Sequence, residues 1–249
     1  ILVRGAAYQT ALLAVDALAS RVVCYATDIR PNLSAAEPAW LAAARATRRP
    51  LLVQSLTIKR VLESLCDYPA HLIHVVPPVA FAPPDPMPDT PRATLCYSGK
   101  IDPDYGLNWL VDLCDSVKDL PKISIRLIAA KDSFRARHPD FFLHFDRFRA
   151  RVAKGDLPGV TLASELPHAQ ARSLMAQADF AFGLRSQTYD DNAEISTKLL
   201  EFCAAGVPPI ANDTALNRAF FGPDYPYLIA LSKGDPLPRL REILSQGRD

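Results

Sequence analysis

Residues 192–211 have the sequence NAEISTKLLEFCAAGVPPIA, which carries the clearest structural signal in the chain. Ser196 and Thr197 are residue types that favour the start of a helix. Gly206 suits the position just after a helix ends, and Pro208 cannot continue one. The segment therefore predicts a helix with well-marked ends, followed by a short buried strand.

Short apolar runs alternate with helical stretches on both sides of this segment. Runs rich in Val, Ile and Leu between helices are typical of parallel strands covered by helices on both faces. We therefore predict an α/β protein with doubly wound sheets, which bind ligands at the carboxyl ends of their strands. The predicted strands are 21–27, 50–54, 71–76, 93–99, 123–130, 159–162, 179–184, 207–211 and 226–230. The predicted helices are 6–19, 34–47, 56–66, 106–119, 140–154, 168–177, 195–205, 214–221 and 237–246.

One proline-rich segment, 77–91 (PPVAFAPPDPMPDTP), interrupts this alternation with seven prolines in fifteen residues. Because proline removes backbone donors and fixes φ, the segment is expected to be a stiff, extended linker. It separates two predicted domains, 1–76 and 92–249, with a ligand-binding cleft between them. The first, with three predicted strands, is expected to be the C-terminal part of a larger domain, and the second to be complete.

Composition narrows the class of protein. The 249 residues are 49% hydrophobic and 22% charged, which is typical of a globular protein, and no apolar run approaches the ~18 residues of a membrane-spanning helix. The 28 basic and 27 acidic residues create no basic field for general nucleic-acid binding. Five cysteines without a Cys-x-x-Cys pair argue against a disulfide framework or a zinc site and favour the cytoplasm.

The predicted helix of 195–205 carries Lys198 and Glu201 on one face, three residues apart. The amino end of a helix presents unpaired N–H groups and a partial positive charge, which suit a diphosphate, and Lys198 adds a full charge there. Glu201, one turn deeper, is able to accept two hydrogen bonds from the vicinal hydroxyls of a ribose. The alternative is a surface ion pair between the two, worth about 0.3–0.5 kcal/mol.

The string STKLLEFCAAGVPPI resembles the donor-binding signature of GT-B glycosyltransferases, in particular the large retaining family with a Ser-x-Lys-x-x-Glu helix followed by Gly-x-Pro. Other segments resemble that family in the order it requires. They are PLLVQSLTIKRVLESL at 50–65, HLIHVVPPVAF at 71–81, LCYSGKI at 95–101, LIAAKD at 127–132 and LPGVTLASELPHAQARSLMAQADFAFGLRS at 157–186.

The resemblance implies two Rossmann-like domains of GT-B type, the first acceptor-side and truncated, the second donor-binding. It implies a glycosyltransferase of hexosyltransferase type, as in polysaccharide biosynthesis, that transfers a sugar from a nucleotide-diphosphate sugar such as a UDP-sugar. The acceptor would be a glycan, a lipid-linked molecule or a small molecule. No cofactor or metal is expected, because side chains would stabilise the leaving group.

Roles for single residues follow from the same resemblance. Lys198 would be catalytic and donor-binding, since it would neutralise phosphate oxygens of the donor and of the leaving nucleoside diphosphate. Ser196 and Thr197 would present N–H or hydroxyl groups to the same atoms, and Glu201 would hold the ribose.

Two further positions match the family, and one departs from it. Gly99 with Lys100 matches the basic residue after the first-strand glycine, a second phosphate contact, and the backbone at Leu166 would lie near the base. The family has two glutamates with seven residues between them. Here Ala193 occupies the earlier place and Glu194 follows one residue late. Either the loop shifts register, with Glu194 as the catalytic carboxylate, or the carboxylate is not used in the usual way.

A second departure concerns positive charge. Tyr105-Gly106 stands where the family has Lys-Gly, so a second lysine is missing. Arg185 is expected to supply donor-binding charge instead, the alternative being a solvated loop arginine.

Several alternatives remain open at this point. One alternative is a nucleotide-sugar 2-epimerase, which shares this two-domain build. Another, motivated by the irregular first glutamate, is a module that binds nucleotide or a partner protein without turnover. Asp102-Pro103-Asp104 imitates an Asp-x-Asp metal motif but is better explained as a turn before a helix. The segment 133–154 interleaves arginines with phenylalanines. It is expected to be a helix with one aromatic face on the sheet, with peripheral contact to the inner face of a membrane as the alternative.

Overall fold

The computed structural model describes residues 1–26, 29, 37–76, 93–116, 123–132, 135–191, 193 and 195–247. The chain divides into two compact units. Unit 1 comprises Ile1–Val79 with Asp191–Ile195, and unit 2 comprises Ala80–Asp190 with Ser196–Asp249. The predicted linker, 77–91, lies outside the described residues, so its conformation and the domain boundaries drawn from it stay predictions.

Unit 1 is built on a parallel sheet. Its described strands pair in the order β1-β2-β3-β4, which requires helical crossovers between consecutive strands. The elements are β1 (Leu2–Arg4), α1 (Ala6–Leu13), α2 (Asp16–Ala19), β2 (Val23–Tyr25), α3 (Ala39–Ala46), β3 (Leu51–Val53), α4 (Leu56–Leu65) and β4 (Ile73–Val75). Helices and strands share an apolar core that includes Trp40, Leu51, Ile58 and Leu62.

Unit 1 corrects two predictions. The first strand, β1, is absent from the predicted strands, because three residues are too short to show a strand pattern in the sequence. The helix predicted over 6–19 is two helices, since Val15 between them has an extended backbone with φ −100° and ψ 102°.

Unit 2 contains a second parallel sheet, whose described strands pair in the order β10-β9-β8-β5-β6-β7. Its elements are β5 (Ala93–Ile101), α5 (Leu107–Asp115), β6 (Ile123–Asp132), α6 (Pro139–Lys154), β7 (Val160–Ser164), α7 (His168–Ala176), β8 (Phe180–Phe182), α8 (Thr197–Ala204), β9 (Pro209–Asn212), α9 (Ala215–Phe221), β10 (Leu228–Ile229) and α10 (Leu237–Gln246). The chain proceeds from β5 through β6 to β7 and then returns to place β8 on the other side of β5. This reversal is a topological switch point, where open α/β sheets bind ligands at the carboxyl ends of their strands.

Apolar side chains cover both faces of this sheet. On one face, Leu110 of α5, Phe145 of α6 and Leu240 of α10 join the larger core cluster. On the other face, Met175 of α7 and Phe202 of α8 pack with strand residues in a smaller cluster. The result is the three-layer arrangement that an all-parallel sheet needs to bury both of its faces.

Helix α6 confirms the predicted aromatic face. Its four phenylalanines are buried, namely Phe141, Phe142, Phe145 and Phe148. Two of its arginines form ion pairs with carboxylates, Arg149 with Asp132 at 2.8 Å and Arg151 with Asp115 at 2.7 Å. Among the described residues, the helices are too short or too polar to cross a membrane.

Candidate functional site

Three elements of unit 2 meet at the switch point. Gly99 lies near the end of β5, Arg185 follows the neighbouring strand β8, and Ser196 immediately precedes α8. Because β5 and β8 are parallel, their carboxyl ends lie at the same edge of the sheet. Gly99, Arg185 and Ser196, three of the predicted donor-binding residues, therefore lie around one edge of the sheet.

Helix α8 has the ends that the sequence predicts. It begins at Thr197 with Ser196 at the N-cap, and the Ser196 side chain makes no capping hydrogen bond. At its other end, Gly206 has φ 73° and donates its N–H to the Cys203 carbonyl, while the Val207 N–H bonds the Phe202 carbonyl at 3.0 Å. This pair of bonds is a Schellman motif, which needs a residue that tolerates positive φ.

Lys198, in the first turn of α8, points between two aromatic rings. Its Nζ lies 4.2 Å from the centroid of the Tyr97 ring and 4.5 Å from that of Tyr105. Burial first, and then the nearby charge of Arg185, lower the pKa of Lys198 to about 7, against the opposing effects of Asp102 and Glu201. The faces of two rings thus surround the Lys198 ammonium, but they do not fully compensate for the hydration that it loses on burial.

Gly99 makes room for this lysine. A Cβ at Gly99 would lie 2.9 Å from Cε and 3.0 Å from Nζ of Lys198, and the glycine has φ +148°. A larger residue would collide with the lysine and strain the backbone. Gly99, which the sequence matches to the first-strand turn, therefore lies directly beside Lys198, the residue predicted to bind phosphate.

Glu201 lies on the next turn of α8, beside His168 at the start of α7. Its carboxylate Oε1 is 3.7 Å from His168 Nε2, and its side chain is 40% exposed. The carboxylate is thus accessible to a ligand and has an exposed imidazole beside it. The sequence suggested no role for His168, because α7 and α8 are separated by some twenty residues.

Arg185 is held by a residue that the sequence analysis missed. Asn212, at the end of β9, accepts a hydrogen bond from the Arg185 N–H at 2.9 Å and donates one to the Arg185 carbonyl at 2.9 Å. The Arg185 guanidinium carbon lies 5.2 Å from the ring centroid of Tyr189. Tyr189 in turn stacks on Tyr105, with centroids 6.1 Å apart. The Arg185 backbone is therefore fixed at this edge, and its guanidinium lies beside the Tyr189 ring.

The acidic pair after β5 forms a turn. Asp102 is buried, and its Oδ1 accepts a hydrogen bond from the Asp104 N–H at 3.1 Å, which starts a short 3₁₀ turn. Gly106 follows with φ 68°, and a Cβ there would lie 2.9 Å from the Leu184 carbonyl. Within the described ranges, no group of three His, Cys, Asp or Glu side chains is arranged to hold a metal ion.

The remaining predicted site residues have different surroundings. The Lys100 side chain is exposed, and its carbonyl accepts a hydrogen bond from the Tyr97 hydroxyl. Leu166 packs against the smaller apolar cluster of unit 2. Glu194 lies outside the described residues. Ala193, which occupies the place of the family's first glutamate, is buried in the core of unit 1.

Comparisons with known proteins support the fold. No family model matches the sequence, and no curated protein matches it. Solved structures do match. A mutant of S. aureus TarM, in complex with fondaparinux, alpha-GlcNAc-glycerol and UDP, is 10% identical with a TM-score of 0.59, over 90% of this chain and 43% of that one. The pneumococcal O-GlcNAc transferase GtfA, in complex with UDP and GlcNAc, is 13% identical with a TM-score of 0.57, over 89% and 43%. Anabaena Alr3699/HepE, in complex with UDP, is 12% identical with a TM-score of 0.60, over 98% and 68%.

The chain spans less than half the length of the first two of these proteins. These neighbours are GT-B glycosyltransferases, and the agreement confirms the predicted α/β fold class with its parallel sheets. At 10–13% identity the likeness shows the fold alone.

Proposed function

We propose that this chain is part of a glycosyltransferase that uses a nucleoside-diphosphate sugar, with unit 2 binding the donor. The observation that carries the proposal is the position of Lys198. Its ammonium lies at the amino end of α8, against Gly99, at the switch point of a parallel sheet. A helix amino end and a desolvated cation together favour a phosphate group.

Charge stabilisation of the leaving group is the chemistry these residues support. As the bond between the sugar and the diphosphate breaks, negative charge grows on the terminal phosphate. Lys198 would neutralise it at close range, and Arg185, whose charge already influences Lys198, would add a second cation. Ser196 and Thr197 would offer the N–H groups of the helix start, and Lys100 a further, exposed charge.

Recognition of the nucleoside is assigned to Glu201 and to the backbone near Leu166. Glu201 has an accessible carboxylate one turn from Lys198, at a spacing that suits a ribose diol behind a diphosphate. Glu165, just before Leu166, has a positive φ of 55°, and its N–H bonds the Ala129 carbonyl. This strained turn presents backbone groups beside the carboxyl end of β6, where they would form hydrogen bonds with the base of the nucleotide.

The identity of the donor is part of the proposal. The three structural neighbours described above are complexes with UDP, so we propose a UDP-sugar, with a hexose as the transferred group. We assign the acceptor, a glycan, a lipid-linked molecule or a small molecule, to unit 1. We propose that Glu194 supplies the catalytic carboxylate near the transferred sugar.

The first experiment measures binding of UDP and GDP to the chain by calorimetry. We expect UDP to bind, and Lys198→Ala to weaken its binding by about 1–3 kcal/mol through the loss of charged hydrogen bonds. Lys233→Ala, at an exposed lysine of unit 2, is the matched control and should bind UDP normally. Unchanged affinity in Lys198→Ala would remove the site assignment.

A second experiment separates the classes of activity. The full-length protein is incubated with UDP-sugars, with and without candidate acceptors, and the products are separated by chromatography. A transferase releases UDP together with a glycosylated acceptor. An epimerase changes the sugar with no acceptor present, and a binding module shifts the melting temperature without product. Either of the last two outcomes would contradict the proposal.

Flotation with anionic vesicles tests the alternative of peripheral membrane contact.

A further inference from the structure

Asn212 is a buried amide with three hydrogen bonds to one segment. Only 4% of its surface is exposed. Besides its two bonds to the backbone of Arg185, its Nδ2 donates to Asp190 Oδ1 at 2.6 Å. All three bonds therefore go to residues 185–190, the stretch that follows β8 and is called the 185–190 segment below.

The chemistry of these bonds requires an amide. Arg185 offers one donor and one acceptor, and Asp190 offers a second acceptor, so the partner must supply one acceptor and two donors. Asparagine has this set at the right length, whereas aspartate has no donor and serine has only one. Because Asn212 is buried, an unmade bond here would carry the full cost of desolvation. The site is thus built for this side chain.

The 185–190 segment carries contacts that reach Lys198. Tyr189, in a short 3₁₀ turn, stacks on Tyr105, and the Tyr105 ring lies under the Lys198 ammonium. The Ser186 N–H donates to the Asp104 carbonyl at 2.8 Å, which ties the segment to the turn after β5. A shift of the segment would therefore move both the Arg185 cation and one of the rings that hold Lys198.

We propose that Asn212 is a positioning residue of the donor site, which fixes the 185–190 segment so that Arg185 and Lys198 face the terminal phosphate of a nucleoside diphosphate together. This inference rests on the proposed function. Asn212 acts through Arg185 and Tyr189 and has no contact of its own with the donor. If Asn212 has this role, its substitution should weaken the binding of nucleotides that carry the terminal phosphate and leave the binding of those that lack it nearly unchanged.

The test compares UDP with UMP, which lacks that phosphate. Asn212→Asp keeps the shape and one acceptor, removes both donors and places a carboxylate beside that of Asp190. We expect the Kd of UDP to rise roughly tenfold, equivalent to about 1.4 kcal/mol, while the Kd of UMP changes little. Arg185→Ala should produce the same selective loss. Asp190→Asn combined with Asn212→Asp restores a donor–acceptor pair and should recover part of the affinity for UDP.

The control is Asn217→Ala. Asn217 is a buried asparagine of α9 whose Nδ2 donates to the Asn212 carbonyl at 2.8 Å, so it contacts the backbone of Asn212 and leaves the amide side chain in place. Its loss should lower the melting temperature but leave the ratio of the UMP and UDP dissociation constants unchanged. If Asn212→Asp leaves that ratio unchanged while Lys198→Ala weakens UDP binding, the inference is wrong and the proposed function stands. If wild-type chain binds neither nucleotide, both are wrong.

Discussion

The Lys198 ammonium lies over the ring of Tyr105, with Nζ 4.5 Å from the ring centroid. Tyr105 occupies the place where the resemblance leads one to expect a second lysine. A lysine there would repel Lys198 in a site that already lowers its pKa. The tyrosine instead offers a ring face to the cation and stacks on Tyr189. Tyr105 thus links Lys198, through Tyr189, to Arg185 in the stretch that follows β8.

We expect Lys198→Met to stabilise the chain at low pH. The pKa of lysine is about 10.4 in an unfolded chain and about 7 here, so between these values the unfolded chain binds more protons. The contribution of Lys198 to wild-type stability therefore rises with pH from about 7 to about 10.4 and is lowest below 7. Removing the charge should raise the Tm at pH 6 by about 2–4 °C, the shift that 1 kcal/mol produces in a chain of this size.

The check is thermal unfolding of Lys198→Met and wild type at pH 6 and pH 9. The difference in Tm should shrink at the higher pH, where the wild-type lysine is largely neutral. Lys233→Met, at an exposed lysine, controls for the general effect of removing a positive charge. A Tm for Lys198→Met that is lower than wild type at pH 6 would contradict the prediction.

We expect UDP binding to take up a proton. A diphosphate next to Lys198 stabilises its charged form and raises its pKa above the value of about 7 in the unliganded chain. Affinity should therefore fall as pH rises above 7, and calorimetry at pH 8 in buffers of different ionisation enthalpy should show proton uptake. Lys198→Arg, which stays charged, should bind UDP without this uptake. Equal uptake in both chains would assign the proton to another group.

We expect Glu201→Gln to weaken UDP binding by about 1–3 kcal/mol, because an amide accepts weaker hydrogen bonds from a ribose diol than a carboxylate does. Binding of 2′-deoxy-UDP, which lacks one hydroxyl, should fall much less. Glu242→Gln is the control, since Glu242 is an exposed glutamate of α10 paired with Arg239. Equal losses for the two nucleotides would show that Glu201 does not contact the ribose.

Helix α8 and the placement of its two candidate site residues were predictable because their signals are local. Ser196 marks the start, Gly206 marks the end through a positive φ, and the spacing of Lys198 and Glu201 places them on one face. Alternation of apolar runs and helices was likewise enough for the α/β class. In each case the residues that specify the feature are close together in the sequence.

Features that depend on strand order were not predictable. Asn212 meets Arg185 because β9 pairs with β8, and Tyr105 meets Tyr189 because β8 pairs with β5. These contacts join residues 27 and 84 positions apart, so no short pattern reveals them. Strand β1 was missed for a different reason, since three residues carry too little periodicity.

We expect Gly99→Ala to weaken UDP binding while the chain stays folded. The new Cβ would lie 2.9 Å from Lys198 Cε, and the flexible end of the lysine would move away to relieve the contact. The positive φ adds backbone strain of about 1–2 kcal/mol. Gly155→Ala is the matched control, because Gly155 has φ +79° and a Cβ there meets nothing within 4 Å. Gly99→Ala should lose at least as much stability in urea unfolding as Gly155→Ala, and calorimetry should show weaker UDP binding in Gly99→Ala alone. Equal affinity in the two variants would mean that the contact between Gly99 and Lys198 has no part in holding the diphosphate.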